Sequence, residues 1–375
     1  MTGHDVHVVH VELTGASYDV VIEPGLLARL GTLVAAVAPS QSAILAVDER
    51  IVTAHGEPAL RSLREAGYAT TVIALTAEES HKQLATVTRM YEQMLRSEVL
   101  PSRTSPVVAL GGGIVGDTAG FAAATYLRGL PLVQVPTTLL AMVDAAIGGK
   151  TGVNIDLPHG GLGKNLIGAF WQPRAVLIDP DVLGTLTRRD FRCGLAECVK
   201  AGIIADESLL EFLTERAVDI LDLDTAVLCE LIERTVRIKV AIVREDERET
   251  GRRALLNLGH TFAHAIEAQQ HVEIRHGEAV SIGLAAAMEI AVRTGRMTDA
   301  DRRRVTGLLE TLGLPLKMSE RVELTHLLRA MRYDKKATPG RTRLVVPEGL
   351  GSASVTGDVP DDVVAAAWAY VGARA

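Results

Sequence analysis

The sequence predicts an α/β protein: a Rossmann-like domain over residues 1–183, followed by a mainly α-helical domain over residues 184–375. Three observations carry this. Short apolar strands alternate with helical periods through the first half, as in a mainly parallel sheet covered by helices. A glycine run, Gly111-Gly-Gly-Ile-Val-Gly-Asp117, follows one of those strands directly. Beyond Asp181, long helical periods dominate, and the change places the boundary between Asp179 and Arg189.

Taken in order, Val6–Leu13 and Tyr18–Ile22 form an opening pair of strands. Ala43–Val47 is a short buried strand ending at Asp48, and Thr70–Leu75 is another. A helix spans His81–Arg96. Pro106–Leu110 runs into the glycine turn, and Asp117–Tyr126 is the helix after it. Leu132–Val135 and Ala175–Ile178 complete the strands. The segment Asn154–Gly163, with its Pro and glycines, reads as a flexible loop. Helices follow at Asp206–Leu221, Thr225–Val243, Gly259–Gln270, Glu278–Thr294 and Asp299–Leu312, with a strand at Arg343–Val346.

Bulk properties exclude several classes. At 375 residues the chain suffices for two domains with separate cores. A net charge of -7 and an aromatic content of 3% argue against nucleic-acid binding, which uses basic faces and stacking platforms. No apolar run reaches the roughly 20 residues of a membrane span. The N-terminus lacks the basic start and apolar core of a signal peptide, so a cytoplasmic location is expected. Cys193, Cys198 and Cys229 are odd in number and form no CxxC, which argues against a disulfide framework or a thiolate metal site.

The chemistry-bearing residues fall into two groups. In the first half, the glycine turn removes side chains where backbone amides approach a phosphate, and the next helix start favours an anion. The spacing is not GxGxxG, and a tight turn needing glycine at positive φ is the competing reading. Asp48, at a strand end, suits a ribose hydroxyl or the cap of the next helix equally well. Pro136-Thr137-Thr138 follows another strand end, where open α/β sheets gather ligands. In the second half, His260 and His264 share a helix face, and Glu197 and His276 supply further ligands for a divalent metal with an open position. Spacing alone leaves open which two histidines ligate. Lys150, Lys164, Lys200, Lys239 and Arg253 suit a small anionic substrate, against the alternative of solvated surface charges. Lys200 lies three residues after Glu197 and shares its helix face.

Taken together, the chain resembles the 3-dehydroquinate synthases of the sugar phosphate cyclase family. The resemblance runs through Glu78-Glu-Ser-His-Lys82, Gly111–Asp117, Tyr126-Leu-Arg128-Gly, Val135–Asp144, Gly148-Gly-Lys-Thr-Gly-Val-Asn154 and Gly163–Phe170. It continues through Gly194-Leu-Ala-Glu-Cys-Val-Lys200, Arg253–Glu267, His276-Gly-Glu278 and Asp334-Lys-Lys336. It implies an NAD-binding domain, a helical metal-binding domain and an active site in the cleft between them. The implied metal ligands, for zinc or cobalt, are Glu197, His260 and His276. Asp48, Glu79, Lys82, Gly112, Gly113, Asp117, Thr137, Thr138 and Asp144 match NAD-contacting positions, with Lys150 shared between cofactor and substrate. Lys164, Asn165, Lys200, Lys239, Arg253, Asn257, His264 and the Lys335-Lys336 pair match substrate-contacting positions. Arg128 matches an arginine reaching phosphate across a dimer interface, which implies a homodimer.

The implied reaction converts 3-deoxy-D-arabino-heptulosonate 7-phosphate, a small anionic sugar-acid phosphate, into 3-dehydroquinate and phosphate, with NAD regenerated at each turnover. Two departures stand out. Ile155–Leu162 is several residues longer than the family loop, and Ala145-Ala146 stand where serines are common. They leave room for an aminodehydroquinate synthase or for a cyclase of an uncarboxylated sugar phosphate. A metal-dependent NAD alcohol dehydrogenase is the alternative of another class, and it would accumulate NADH on turnover.

Overall fold

The structure, a computed structural model, describes residues 6–158, 162–269, 271–333 and 343–374. The chain divides into two compact units, residues 1–186 with 228–240 and residues 187–227 with 241–375. No helix among the described residues is long and apolar enough to cross a membrane.

The first unit is built on a seven-stranded sheet. Its strands are β1 (His7–Val11), β2 (Tyr18–Ile22), β3 (Ser42–Asp48), β4 (Ala69–Leu75), β5 (Val107–Gly111), β6 (Leu132–Pro136) and β9 (Ala175–Ile178). They lie in the order β1-β2-β9-β6-β5-β3-β4, all parallel except the β1/β2 pair. Every residue of β3, β5, β6 and β9 is buried. Such unbroken apolar runs suit parallel strands covered on both faces. Chain order reverses between β3 and β5, so Asp48 and Gly111–Gly113 flank the switch point, where α/β sheets bind ligands.

The helices of this unit are α1 (Leu30–Val37), α2 (Glu57–Glu65), α3 (Leu84–Leu95) and α4 (Gly113–Thr125). α3 begins three residues later than the periodicity predicts, because a 3-10 turn occupies Glu79–His81. α4 begins four residues earlier than predicted, directly on the glycine run. It is small-residued and buried over much of its surface.

The main departure from expectation is Asn154–Gly163. Its two ends belong to an antiparallel hairpin of β7 (Lys150–Asp156) and β8 (Leu162–Phe170), with a bulge between Val153 and Ile155. Residues 159–161 lie outside the described residues.

The second unit contains α5 (Arg188–Ala205), α6 (Glu207–Glu215) and α7 (Ala217–Leu221). The Asp206–Leu221 helix of the sequence reading is thus two helices, interrupted at Arg216. α8 (Thr225–Glu245) is shared between the units. Then come α9 (His260–Glu267), α10 (His276–Arg293), α11 (Asp299–Thr311), α12 (Leu324–Tyr333), the hairpin β10 (Leu344–Pro347) with β11 (Ala353–Thr356), and α13 (Asp361–Tyr370). Side-chain caps from Thr187, Asp206, Asp224 and Thr298 start four of these helices. α10 is the hub: residues 279–291 are buried throughout, as expected of a helix apolar on all sides. It packs on α5, α9, α11 and α13.

Candidate active site

Glu197, His260 and His276 come together because three helices meet closely at glycine. A Cβ at Gly277 would lie 2.2 Å from the Cys193 carbonyl oxygen, so α10 touches the α5 backbone one turn before Glu197. Gly259 has φ 79°, and its carbonyl oxygen would lie 2.1 Å from a Cβ at Gly283. Thus His260 opens α9 and His276 opens α10, both beside Glu197. One ligand atom from each of the three lies within 4.8 Å of the others.

The protonation pattern suits a metal. His260 Nδ1 lies 3.2 Å from the Leu258 carbonyl oxygen, and His276 Nδ1 lies 3.3 Å from Glu267 Oε1. Donation to those acceptors leaves each Nε2 as the free lone pair. The two Nε2 atoms stand 3.6 and 3.7 Å from Glu197 Oε1. A tetrahedron with metal bonds of about 2.1 Å has edges of about 3.4 Å, so the donors are spaced for one ion. Glu197 Oε2 pairs with the Lys200 ammonium, and both side chains are almost wholly buried. Burial first, then the Lys200 charge, push the His260 pKa down to about 3. Burial lowers the His276 pKa too, but its bonds to Glu197 and Glu267 outweigh this and raise it to about 10.

His264, one turn after His260, is exposed and meets its ring edge-on at 5.7 Å; it is outside the three-residue cluster. Asn257 donates to Glu249 Oε1 at 2.7 Å. Arg253 is 1% exposed, and its guanidinium donates to the Glu247 carbonyl oxygen. Its backbone is held by Asp246, which also accepts from Thr250 N and Gly251 N.

In the first unit the glycine turn has a different cause from the one positive φ would supply. Gly112 has φ -75°, open to any residue, but a Cβ there would lie 3.1 Å from Thr138 Cγ2. Close approach of the backbone is what glycine permits. The first turn of α4 carries no side-chain cap, so amide groups face outward for an anion. Thr137 N donates to the Gly111 carbonyl oxygen, and Thr138 Oγ1 caps Ala141 N. Asp48 caps the following 3-10 turn through Arg50 N and pairs with the Arg50 guanidinium.

Lys82, 4% exposed, donates to Asp117 Oδ2 at 2.5 Å and Asn165 Oδ1 at 2.6 Å. Burial raises the Asp117 carboxyl above its usual pKa, against the pull of Lys82. Lys239, also buried, pairs with the Asp144 carboxylate and carbonyl oxygen. The buried cations Lys82, Lys200, Lys239 and Arg253 are thus not solvated surface charges, whereas Lys150, Lys164 and Arg128 are exposed. Lys335 and Lys336 lie outside the described residues.

Sequence reasoning passed over Glu267 and Asn154 as functional groups. Both sit inside quoted motifs, but only the fold reveals their partners.

The description of the 3-dehydroquinate synthase N-terminal region matches residues 72–193, and that of the C-terminal region matches residues 194–337. The chain belongs to the 3-dehydroquinate synthase family. It is 42% identical to the 3-dehydroquinate synthase of Nostoc punctiforme, over 95% of this chain and 97% of that one. It is 44% identical to that of Symbiobacterium thermophilum, over 94% and 98%. Among solved structures, it is similar to 2-epi-5-epi-valiolone synthase from Streptomyces hygroscopicus subsp. jinggangensis 5008, which has NAD+ and Zn2+ bound. The TM-score there is 0.86 at 30% identity, covering 96% of this chain and 98% of that chain.

Proposed function

We propose that the chain is a 3-dehydroquinate synthase, converting 3-deoxy-D-arabino-heptulosonate 7-phosphate into 3-dehydroquinate and phosphate with catalytic NAD and a divalent metal, zinc or cobalt. The observation that carries this is the Glu197, His260 and His276 cluster, spaced for one ion, in a chain of this family. Bound there, the cation supplies Lewis acidity to the substrate hydroxyls, while NAD supplies a reversible hydride acceptor.

The chain's own groups do the rest. Glu197, His260 and His276 fix the ion. Lys200 holds Glu197 Oε2 and so turns Oε1 toward the two imidazoles. Glu267 holds His276 by its far nitrogen. His264, exposed one turn from His260, is assigned the proton relay at the substrate phosphate in this reading. A substrate with carboxylate and phosphate suits the lysines and arginine, while the α4 amides and the glycine turn take the NAD pyrophosphate.

The enzyme is proposed to work as a cytoplasmic homodimer. In this reading Leu127, Leu166 and Phe170 of the first unit, 42–44% exposed, are covered by the second copy. Arg128 adjoins Leu127, and both are held at positive φ. Light scattering should give a dimer for the wild type and a smaller species for Leu166→Asp; a monomeric wild type removes the dimer.

The test of function is phosphate release from the heptulosonate phosphate with NAD and metal present, followed alongside NADH absorbance. Phosphate without net NADH supports the reading. Release only from the 4-amino analogue or from sedoheptulose 7-phosphate would move the assignment to another cyclase. Steady NADH accumulation would indicate a dehydrogenase.

A further inference from the structure

Asn154 takes no part in the roles above, yet it is 1% exposed and uses its whole amide. Its Nδ2 donates to Glu79 Oε1 at 2.8 Å and to the Glu79 carbonyl oxygen at 3.2 Å. Its Oδ1 accepts from Asn165 N at 2.8 Å, and its own backbone N donates to the Lys82 carbonyl oxygen at 2.7 Å. Asn165 has φ 52°, in the left-handed region that asparagine adopts more readily than most non-glycine residues. Lys82 closes the ring by donating to Asn165 Oδ1. The bulge between Val153 and Ile155 sits at Asn154 itself, as bulges do where a strand must re-aim a side chain.

We propose that Asn154 is a positioning residue that ties the Glu79–Lys82 turn to the Lys164-Asn165 corner, so that one buried amide sets the cofactor-side carboxylate and the substrate-side backbone together. This rests on the proposed function and on the family resemblance, which implies Glu79 and Lys82 for NAD and Lys164 and Asn165 for the substrate. The two ends of the amide are separable by substitution. Asn154→Asp keeps the oxygen that holds Asn165 N but sets a carboxylate against Glu79. Asn154→Ala removes both ends.

The experiment measures the NAD dissociation constant, the substrate KM and the melting temperature for the wild type and both variants between pH 5.5 and 8.5. Loss of a hydrogen bond to a charged group predicts NAD binding weaker by about tenfold or more for Asn154→Asp at pH 8.5. Its KM should stay close to wild type. The introduced carboxyl, facing Glu79, takes up a proton more readily than an isolated one. Protonated, it donates to Glu79 again, so NAD affinity should recover relative to wild type as the pH falls. Asn154→Ala should raise both constants, with no pH-dependent recovery. A loss confined to melting temperature, or a loss of NAD affinity in Asn154→Asp that does not change with pH, would overturn the proposal. NAD binding by both variants at wild-type strength would overturn it as well. A wild type that binds no NAD would instead remove the functional reading beneath it.

Discussion

Replacing Glu197 with Gln should destabilise the metal-free protein as well as remove a metal ligand. Glu197 and Lys200 are paired side chain to side chain, with 2% and 3% exposure. An ion pair this deep contributes little net stability, because desolving both charges nearly cancels their attraction. Breaking it is different. Glu197→Gln leaves the buried Lys200 ammonium without the Glu197 carboxylate, and such a step costs about 3–5 kcal/mol. The double variant Glu197→Gln with Lys200→Met removes both charges and should recover most of that loss. A coupling energy of about 3 kcal/mol is therefore expected. Urea unfolding in the presence of a chelator measures it, since metal binding would otherwise add to the stability of the native state alone. If the two single-variant costs add to the double within about 0.5 kcal/mol, the pair is not energetically coupled and its role in aiming Glu197 falls.

Two further outcomes follow from the same geometry. Stripping the metal should abolish phosphate release and lower the melting temperature, and cobalt should restore both; at a hundredfold excess over its dissociation constant the ion adds about 2.7 kcal/mol. Calorimetry of His276→Ala should show no such shift, and an unchanged shift would exclude His276 as a ligand. Asp246, whose three backbone amide bonds overcome desolvation, has its pKa lowered from 3.8 to about 2. A depressed carboxyl stabilises the fold above its unfolded pKa and loses that contribution as the pH falls through about 2. Asp246→Asn should therefore cost up to about 2 kcal/mol at pH 7, less with solvent screening, and no more than about 0.4 kcal/mol at pH 2. Unfolding curves at the two pH values check this, and equal losses at both would refute it.

Much of the fold was legible because its signals are local. The sheet strands β3, β5, β6 and β9 are continuous apolar runs ended by turn residues, and the helices of the second unit carry clear periods. The β7/β8 hairpin was not, because it is rich in glycine and lysine and lacks alternation. Its strand character comes from cross-strand contact, such as Gly168, where a Cβ would lie 2.3 Å from the Thr151 carbonyl oxygen. The glycine turn was located correctly, but its reason, contact with Thr138, is tertiary. Spacing put His260 and His264 on one helix face and left open which histidines ligate, whereas the fold sets His276 beside His260 and Glu197, the set the resemblance implied, and leaves His264 exposed. His276 lies sixteen residues beyond His260 on another helix, and only the meeting of α9 and α10 joins them. Burial of Lys82, Lys200 and Lys239 was equally invisible, since composition treats all lysines alike.

The most direct measurement mixes purified protein with NAD, cobalt and 3-deoxy-D-arabino-heptulosonate 7-phosphate and records phosphate and NADH together, with the carbocycle identified by mass spectrometry. Many equivalents of phosphate per enzyme, 3-dehydroquinate as product and no net NADH are expected. NADH rising in step with turnover, or no phosphate from this substrate, would contradict the account.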